Sequence, residues 1–312
     1  MAGLALAYEA VAYPHLNMSL QLKSIYTRAE LEQRCKNAKR RRQLHDKLRN
    51  KSLFKPVPLK KAFENRKRKG HDPLWARPPK ARAGRNVNEE ASIRRKIAER
   101  MARQILEAKK DNNIDETDVS CILRTWGSNP NKARKNVSSG DPVYSDTFGL
   151  VVHRACSKPI LSRLTRMYPN VARILNLWLR HHCSRHCFPA TSISVNIEYR
   201  AKRHRDAGNL GPSAVKAFGP FRGAQLRIFP KDTGKGDVNK LSLRASRLLP
   251  VKRRLQYFDG RKCHEVLPFQ GPRMSVVWFT SGRYSHASAA TQRTLTNLGF
   301  EIPTSTKIHR TE

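Results

Sequence analysis

Thr191-Ser192-Ile193-Ser194-Val195-Asn196-Ile197-Glu198-Tyr199-Arg200 leads, within a few residues, to His204-Arg205-Asp206. Ile193, Val195, Ile197 and Tyr199 alternate with Ser192, Ser194, Asn196 and Glu198, which is the period of a strand with one apolar face. Alternate side chains of an extended chain project from the same face, so His204 and Asp206 can reach one metal ion while Arg205 points away. The second histidine of such a site has to come from a distant strand. His264 meets that need, in the run Phe258-Asp259-Gly260-Arg261-Lys262-Cys263-His264-Glu265-Val266, beyond a strand end and a glycine turn. Two histidines and one carboxylate occupy one face of Fe(II) and leave the other positions open for a bidentate cosubstrate and O2.

Arg273 follows His264 by nine residues, far enough for the chain to turn and begin a strand back into the same pocket. Its guanidinium fork suits the distal carboxylate of 2-oxoglutarate, and Ser275, two positions on, faces the same way with a hydroxyl. Each piece alone says little: a His-x-Asp pair arises by chance, and His264 on its own reads as a loop histidine. The ordered set carries the reading.

With these residues in hand, the chain resembles the TET/JBP-like branch of the 2-oxoglutarate/Fe(II) dioxygenases, in the version common in unicellular eukaryotes. The similarity rests on Ser192 to Tyr199, on His204-Arg205-Asp206-Ala207-Gly208-Asn209-Leu210-Gly211-Pro212-Ser213, on Phe258-Asp259-Gly260 with His264, and on Gly271-Pro272-Arg273-Met274-Ser275-Val276-Val277. It implies a double-stranded β-helix and oxidation of a methyl group on a nucleic-acid base, thymine or 5-methylcytosine. It further implies iron held by His204, Asp206 and His264, with 2-oxoglutarate anchored by Arg273 and Ser275. One departure stands out. Where related sequences tend to have Gly-Gly-x-Leu, this chain has Gly223-Ala224-Gln225-Leu226, and a residue forced to positive φ there is strained.

The partner class follows from charge. The 312 residues carry 62 Lys and Arg against 24 Asp and Glu, a formal charge of +38. Residues 1 to 110 contribute +19 and the rest another +19, so the excess is not confined to a tail. Such a field concentrates polyanions. Nucleic acid is the expected partner, DNA favoured over RNA, and a basic surface serving localisation or ribosome association is the rival. No run approaches the roughly 18 apolar residues of a membrane span, and the first twenty residues read as neither signal peptide nor anchor. Six cysteines are too sparse for a disulfide scaffold in this length. The expected setting is intracellular and reducing, with the nucleus favoured.

The expected architecture is mainly β with flanking helices, a jelly-roll (cupin-like) dioxygenase core preceded by a basic extension. Residues 1–88 read as that extension, largely disordered beyond a helix near Ala29 to Arg49. Its clusters Lys39-Arg40-Arg41-Arg42 and Arg66-Lys67-Arg68-Lys69 suit nuclear import or a sequence-blind grip on phosphates. Residues 89–139 read as a helical linker region, 140–302 as the dioxygenase domain and 303–312 as a tail. In the linker, Ile93, Ile97, Met101 and Ile105 recur every fourth residue, a stripe expected to face the core. Two helices are expected over Lys158 to Met167 and Asn170 to His182. Strands are expected over Ser213 to Phe218, Ala224 to Phe229, Arg254 to Phe258 and Met274 to Thr280, with a closing helix over Ala289 to Asn297.

Several residues stay open at this level. Asn196 or Tyr199 helps hold the cosubstrate, depending on which strand face lines the pocket. Asn209 and Ser213 are base-reading groups or turn formers, with the turn favoured for Ser213 beside Pro212. His181-His182-Cys183-Ser184-Arg185-His186-Cys187 has ligands enough for zinc, although a basic helix end with buried cysteines is the simpler account. Lys231 to Leu249 is a substrate-side loop or a tolerated surface insertion. The same iron chemistry also serves hydroxylation of a protein side chain or repair demethylation of a base, and a non-catalytic nucleic-acid-binding protein completes the alternatives.

Overall fold

The computed structural model describes residues 87–110, 113–131, 136, 143–153, 155–183 and 188–303. The chain divides into a unit Met1–Leu74 and a unit Trp75–Glu312, and every described residue belongs to the second. The expected helix near Ala29, the two basic clusters and the tail beyond Pro303 lie outside the described residues. Among those residues no helix is long and apolar enough to cross a membrane.

Two helices, α1 (Val87–Lys109) and α2 (Glu116–Thr125), come first. Then follow β1 (Tyr144–Val152), β2 (Pro159–Leu161), α3 (Arg163–Met167) and α4 (Pro169–His182). The strand-rich half holds β3 (Ser192–Ile197), β4 (Asn209–Phe218), β5 (Arg222–Gly223), β6 (Leu226–Ile228), β7 (Arg247–Leu249), β8 (Gln256–Asp259), β9 (His264–Val266), β10 (Phe269–Gln270) and β11 (Met274–Ser281), closed by α5 (Ala289–Asn297). Six strands form one sheet in the order β2-β1-β3-β11-β4-β8, and β7-β6-β9 and β10-β5 form two small ones. Every pairing is antiparallel.

Alternation along the strands decides what lies on each face. Ile193 and Val195 of β3, Ala214 and Phe218 of β4, and Val276 and Trp278 of β11 share a buried cluster with Val171, Ile174, Leu175 and Trp178 of α4. That is the outer, helix-covered face. Trp178 stacks on Trp278 with centroids 5.6 Å apart and meets Phe218 edge-on; such pairs add about 0.5–1.5 kcal/mol beyond their burial. The alternate residues face inward, where Val215 and Ala217 join Phe221, Ala224, Leu226, Leu249, Val251 and Phe258 in a second cluster between the large and small sheets. The fold is the expected one: a mainly β, double-stranded β-helix core with helices against one side.

The details depart from the sequence reading in three places. On α1, Ile93 and Ile97 are exposed, at 42% and 43%, and the buried stripe is Ala91, Ala98, Ala102, Ile105 and Leu106. At Ala91, Ala98 and Ala102 the small side chains let this helix approach its neighbours closely, while Ile105 is buried as the stripe predicted. The segment expected to be helical from Lys158 instead forms β2 before Ser162 caps α3 through the Thr165 amide. Strand β1 escaped the reading because Asp146 and Gly149 interrupt its pattern. Gly149 has φ +82°, and a Cβ there would lie 2.2 Å from the Thr191 carbonyl oxygen, so only glycine permits the close passage of β1 over β3. Asp146 is spent structurally, accepting hydrogen bonds from Arg95, Trp126 and Ser128.

Candidate metal centre

After β3 the chain leaves the large sheet at Glu198, which has φ +50°. It then runs antiparallel along the segment that contains β9. The Val266 amide donates to the Ala201 carbonyl at 3.0 Å, His204 and His264 exchange both backbone hydrogen bonds at 3.1 and 3.0 Å, and the Asp206 amide donates to Gly260 at 2.8 Å. Residues that exchange both bonds lie directly opposite, so the two histidine side chains emerge on one face. Their ring centroids are 4.2 Å apart.

Backbone carbonyls orient both rings. His204 Nδ1 donates to the Lys202 carbonyl at 2.7 Å and His264 Nδ1 to the Lys262 carbonyl at 2.9 Å. A carbonyl only accepts, so each Nδ1 carries a proton, and in the neutral ring Nε2 is then the nitrogen with the lone pair. Asp206 faces the same point, with Oδ1 3.7 Å from His204 Nε2 and Oδ2 3.8 Å from His264 Nε2. One ligand atom from each of the three lies within 4.8 Å of the others. Atoms that share a metal at about 2.1 Å sit roughly 3 Å apart, so a shift of about 1 Å or less in each side chain closes the set. Burial, and then the neighbouring His204, push the His264 imidazole down to about 4. It is therefore neutral, the form that ligates.

Arg205 points the other way, as alternation requires. Its Nε and Nη2 pair with the two oxygens of Asp232 at 2.7 and 2.8 Å. Asp232 Oδ2 also accepts from the Cys263 amide at 2.6 Å, next to His264. The Arg205 guanidinium holds this carboxyl down at about 2. Asp232 went unnoticed in the sequence because it sits among glycines and lysines with no motif around it. Its only local signal is an acidic residue in a basic loop.

Arg273 is buried, and its charge meets no acidic side chain among the described residues. Nη1 donates to the Tyr199 carbonyl at 3.3 Å and to Ser275 Oγ at 3.2 Å, and Nε has no partner. Phe221 and Phe269 flank the guanidinium at 5.7 and 5.5 Å. Burial pulls it down to about 10, so it remains a cation at neutral pH. A buried charge with an unused donor is costly unless an anion arrives, and that fits a carboxylate of the expected cosubstrate.

Asn196 and Tyr199 both come to this end. Asn196 lies opposite Ser275 on β11 and Ser145 on β1, on the inward face. Its carbonyl oxygen accepts from Ser145 and Ser194, which leaves its amide as the donor open to a ligand. Tyr199 contributes its carbonyl to Arg273 and packs with Val143 and Ala201. Alternation from β3 did not decide its side because Glu198 adopts the left-handed conformation and re-aims the chain.

At the other end, Asn209 donates to Asp206 Oδ2 at 3.5 Å and its backbone amide bonds the Asp206 carbonyl. Ser213 is not a turn residue. It lies within β4 opposite Phe258, fully buried, and its hydroxyl has no partner. Gly260 leaves the room these groups use: a Cβ there would stand 3.0 Å from Asn209 Nδ2 and 3.3 Å from Ser213 Oγ.

The histidine-cysteine cluster after α4 divides. Ser184 to Cys187 lie outside the described residues. His181 Nδ1 accepts from the Ile114 amide, His182 stacks on Trp178, and Cys183 accepts from the Tyr257 hydroxyl. These three side chains are committed to packing. Ala224 has φ +54°, so the left-handed backbone at the departing position is kept without a glycine.

No family model matches the chain, and no curated protein matches it. Among solved structures it is similar to a prolyl-4-hydroxylase from Pseudomonas putida, at 18% identity over 61% of this chain and 87% of that one, with a TM-score of 0.27. It is also similar to a prolyl hydroxylase from Trichoplax adhaerens solved with a hypoxia inducible factor peptide, at 12% identity over 66% and 99%, TM-score 0.31. A third is a bsmA homologue from Methylobium petroleophilum, at 12% identity over 59% and 93%, TM-score 0.31.

Proposed function

We propose that this chain is a 2-oxoglutarate- and Fe(II)-dependent dioxygenase of the TET/JBP-like kind, hydroxylating a methyl group on thymine or 5-methylcytosine in nucleic acid. The observation that carries the reading is the pairing of two features: the His204, Asp206 and His264 cluster, and a buried Arg273 that lacks an acidic partner among the described residues. When bound, Fe(II) with 2-oxoglutarate and O2 supplies the oxidation of a substrate C–H bond to C–OH, with succinate and CO2 released.

In this reading His204, Asp206 and His264 hold the metal, and the Lys202 and Lys262 carbonyls keep both imidazoles aimed. Arg273 and Ser275 grip the distal carboxylate of the cosubstrate, and the Asn196 amide donates to it from the facing strand. The apolar interior around Phe221, Phe258 and Phe269 excludes water, which strengthens these contacts. Asp206, whose side chain is 36% exposed, faces the open side where substrate enters. A base inside a duplex cannot reach such a centre, so it is flipped out or presented in a single strand. Asn209, whose side chain donates to Asp206 Oδ2 at 3.5 Å, is the polar group placed beside Asp206 for reading it.

The net charge of +38 supports nucleic acid over a small metabolite as substrate. The test is anaerobic addition of Fe(II) and 2-oxoglutarate to purified protein, following the weak visible charge-transfer band, with His204→Ala as control. A band that the control lacks supports the centre, and its absence from folded protein overturns the enzyme reading. Mass spectrometry of nucleosides after turnover then tests the substrate. Hydroxymethylated bases support the proposal; a hydroxylated protein side chain, or formaldehyde released from an alkylated base, replaces it with that rival.

A further inference from the structure

Residues 231–249 carry Lys231, Lys235, Lys240, Arg244 and Arg247 against Asp232 and Asp237. All five basic side chains are exposed, and none forms an ion pair among the described residues. Asp232 is already neutralised by Arg205, so the segment presents more positive charge than its formal count. Leu243 and Leu248 are exposed on the same stretch, at 53% and 42%.

The segment is also built into the metal centre. Arg203 and Arg205 flank His204, and both donate into the segment's backbone: Arg203 to the Leu241 carbonyl at 3.2 Å, Arg205 to the Lys235 and Gly236 carbonyls at 2.9 Å each. From the other candidate ligand-bearing run, the Cys263 amide donates to Asp232 at 2.6 Å, and Lys262 donates to the carbonyl of Pro230, just before the segment, at 2.7 Å. Two capped 3-10 turns, Val238–Lys240 and Leu243–Ala245, shape it before β7 joins the edge of the small sheet. An insertion retained only for surface tolerance has no reason to be pinned at both iron-binding segments.

We infer that residues 231–249 form a ledge that docks a nucleic-acid strand beside the metal centre, an inference that rests on the function proposed above. Its five cations meet successive phosphates. Leu243 and Leu248 lie against bases or wedge between them, the role apolar side chains play where a strand is unstacked. The partner is a polyanionic strand, since exposed cations without acidic partners among the described residues attract phosphates and exposed leucines suit unstacked bases.

The test uses the full chain and fluorescent single-stranded and duplex oligonucleotides, with anisotropy titrations from about 50 to 200 mM salt. Each phosphate contact contributes about 0.9 to the salt slope on duplex and about 0.7 on single strands. A variant with Lys235→Ala, Lys240→Ala and Arg244→Ala is expected to lose about two to three from that slope and at least about tenfold in affinity at the lower salt. The charge-matched control, Arg163→Ala, Arg166→Ala and Arg293→Ala on α3 and α5, keeps its slope within about one. Leu243→Ala with Leu248→Ala weakens binding at unchanged slope. Equal losses in ledge and control variants, or a ledge variant that binds as the parent does, overturn the docking inference and leave the nucleic-acid reading standing. A parent chain with no salt-dependent nucleic-acid binding overturns both.

Discussion

Arg205 and Asp232 meet through two parallel hydrogen bonds, Nε to Oδ2 at 2.7 Å and Nη2 to Oδ1 at 2.8 Å. Arg205 lies between the candidate ligands His204 and Asp206, and Asp232 also takes the amide of Cys263, the residue before His264. One carboxylate therefore spans both ligand-bearing segments from behind. Bidentate pairs of this kind fix orientation as well as distance, and groups behind the ligands tune metal affinity.

Asp232→Asn keeps the shape but removes the charge that faces Arg205. Cobalt(II) or manganese(II) titration of this variant is expected to show affinity about 10- to 100-fold weaker. An unchanged metal affinity would mean that the pair serves only the loop.

Acid reports on the same pair. The carboxyl of Asp232 is held at about 2, below its ordinary 3.8, chiefly by Arg205. A depressed carboxyl stabilises the fold fully above its ordinary value, and that contribution disappears as pH falls from 3.8 towards 2. Hydrogen exchange of residues 231–249 is expected to accelerate across this window in the parent chain. In Asp232→Asn it is already fast at higher pH and changes little there.

Arg273→Gln tests the proposed cosubstrate role of this residue apart from folding. The buried cation has no acidic partner among the described residues, so removing it takes away a desolvation penalty in the free protein. The unliganded variant is expected to melt no earlier than the parent. The thermal upshift that 2-oxoglutarate gives with a divalent metal should be lost, corresponding to affinity weaker by about 100-fold or more.

Gly260→Ala places a methyl group against Asn209 and Ser213. Displacing Asn209 loosens the carboxylate it contacts, and metal affinity is expected to fall by roughly 10-fold while circular dichroism stays that of the parent. Gly208→Ala, with open space around its added Cβ, is the control that should leave the affinity unchanged.

Ala224 reads out backbone strain. Its φ of +54° disfavours a side chain, yet its methyl packs in the inner cluster. In Ala224→Gly the relief of roughly 1–2 kcal/mol is largely offset by losing about 0.8 kcal/mol of methyl burial and by extra chain entropy, so stability should stay within about 1 kcal/mol of the parent. Ala224→Val, β-branched at positive φ, should lower stability by at least about 2 kcal/mol. Urea unfolding measures both.

The elements legible in the sequence were those set by local chemistry. Strand β3 showed its two-residue period, and β11, α4 and α5 lie where a strand and two helices were expected. His204, Asp206, His264, Arg273 and Ser275 stood out because chelation and carboxylate binding need those residue types in that order. The placement of Asn196, the exposure of Ile93, the strand at β1 and the partner of Arg205 were not legible, because each depends on a neighbour far along the chain. Gly149 belongs to a strand only because Thr191 passes within reach of it, and Glu198 turns Tyr199 aside in a way that alternation cannot anticipate. The sequence by itself determined which groups could share a metal and a carboxylate. Tertiary structure alone decided that Asp232 brings the two ligand segments together, since a hydrogen-bonded ion pair between distant residues exists only once the chain has folded.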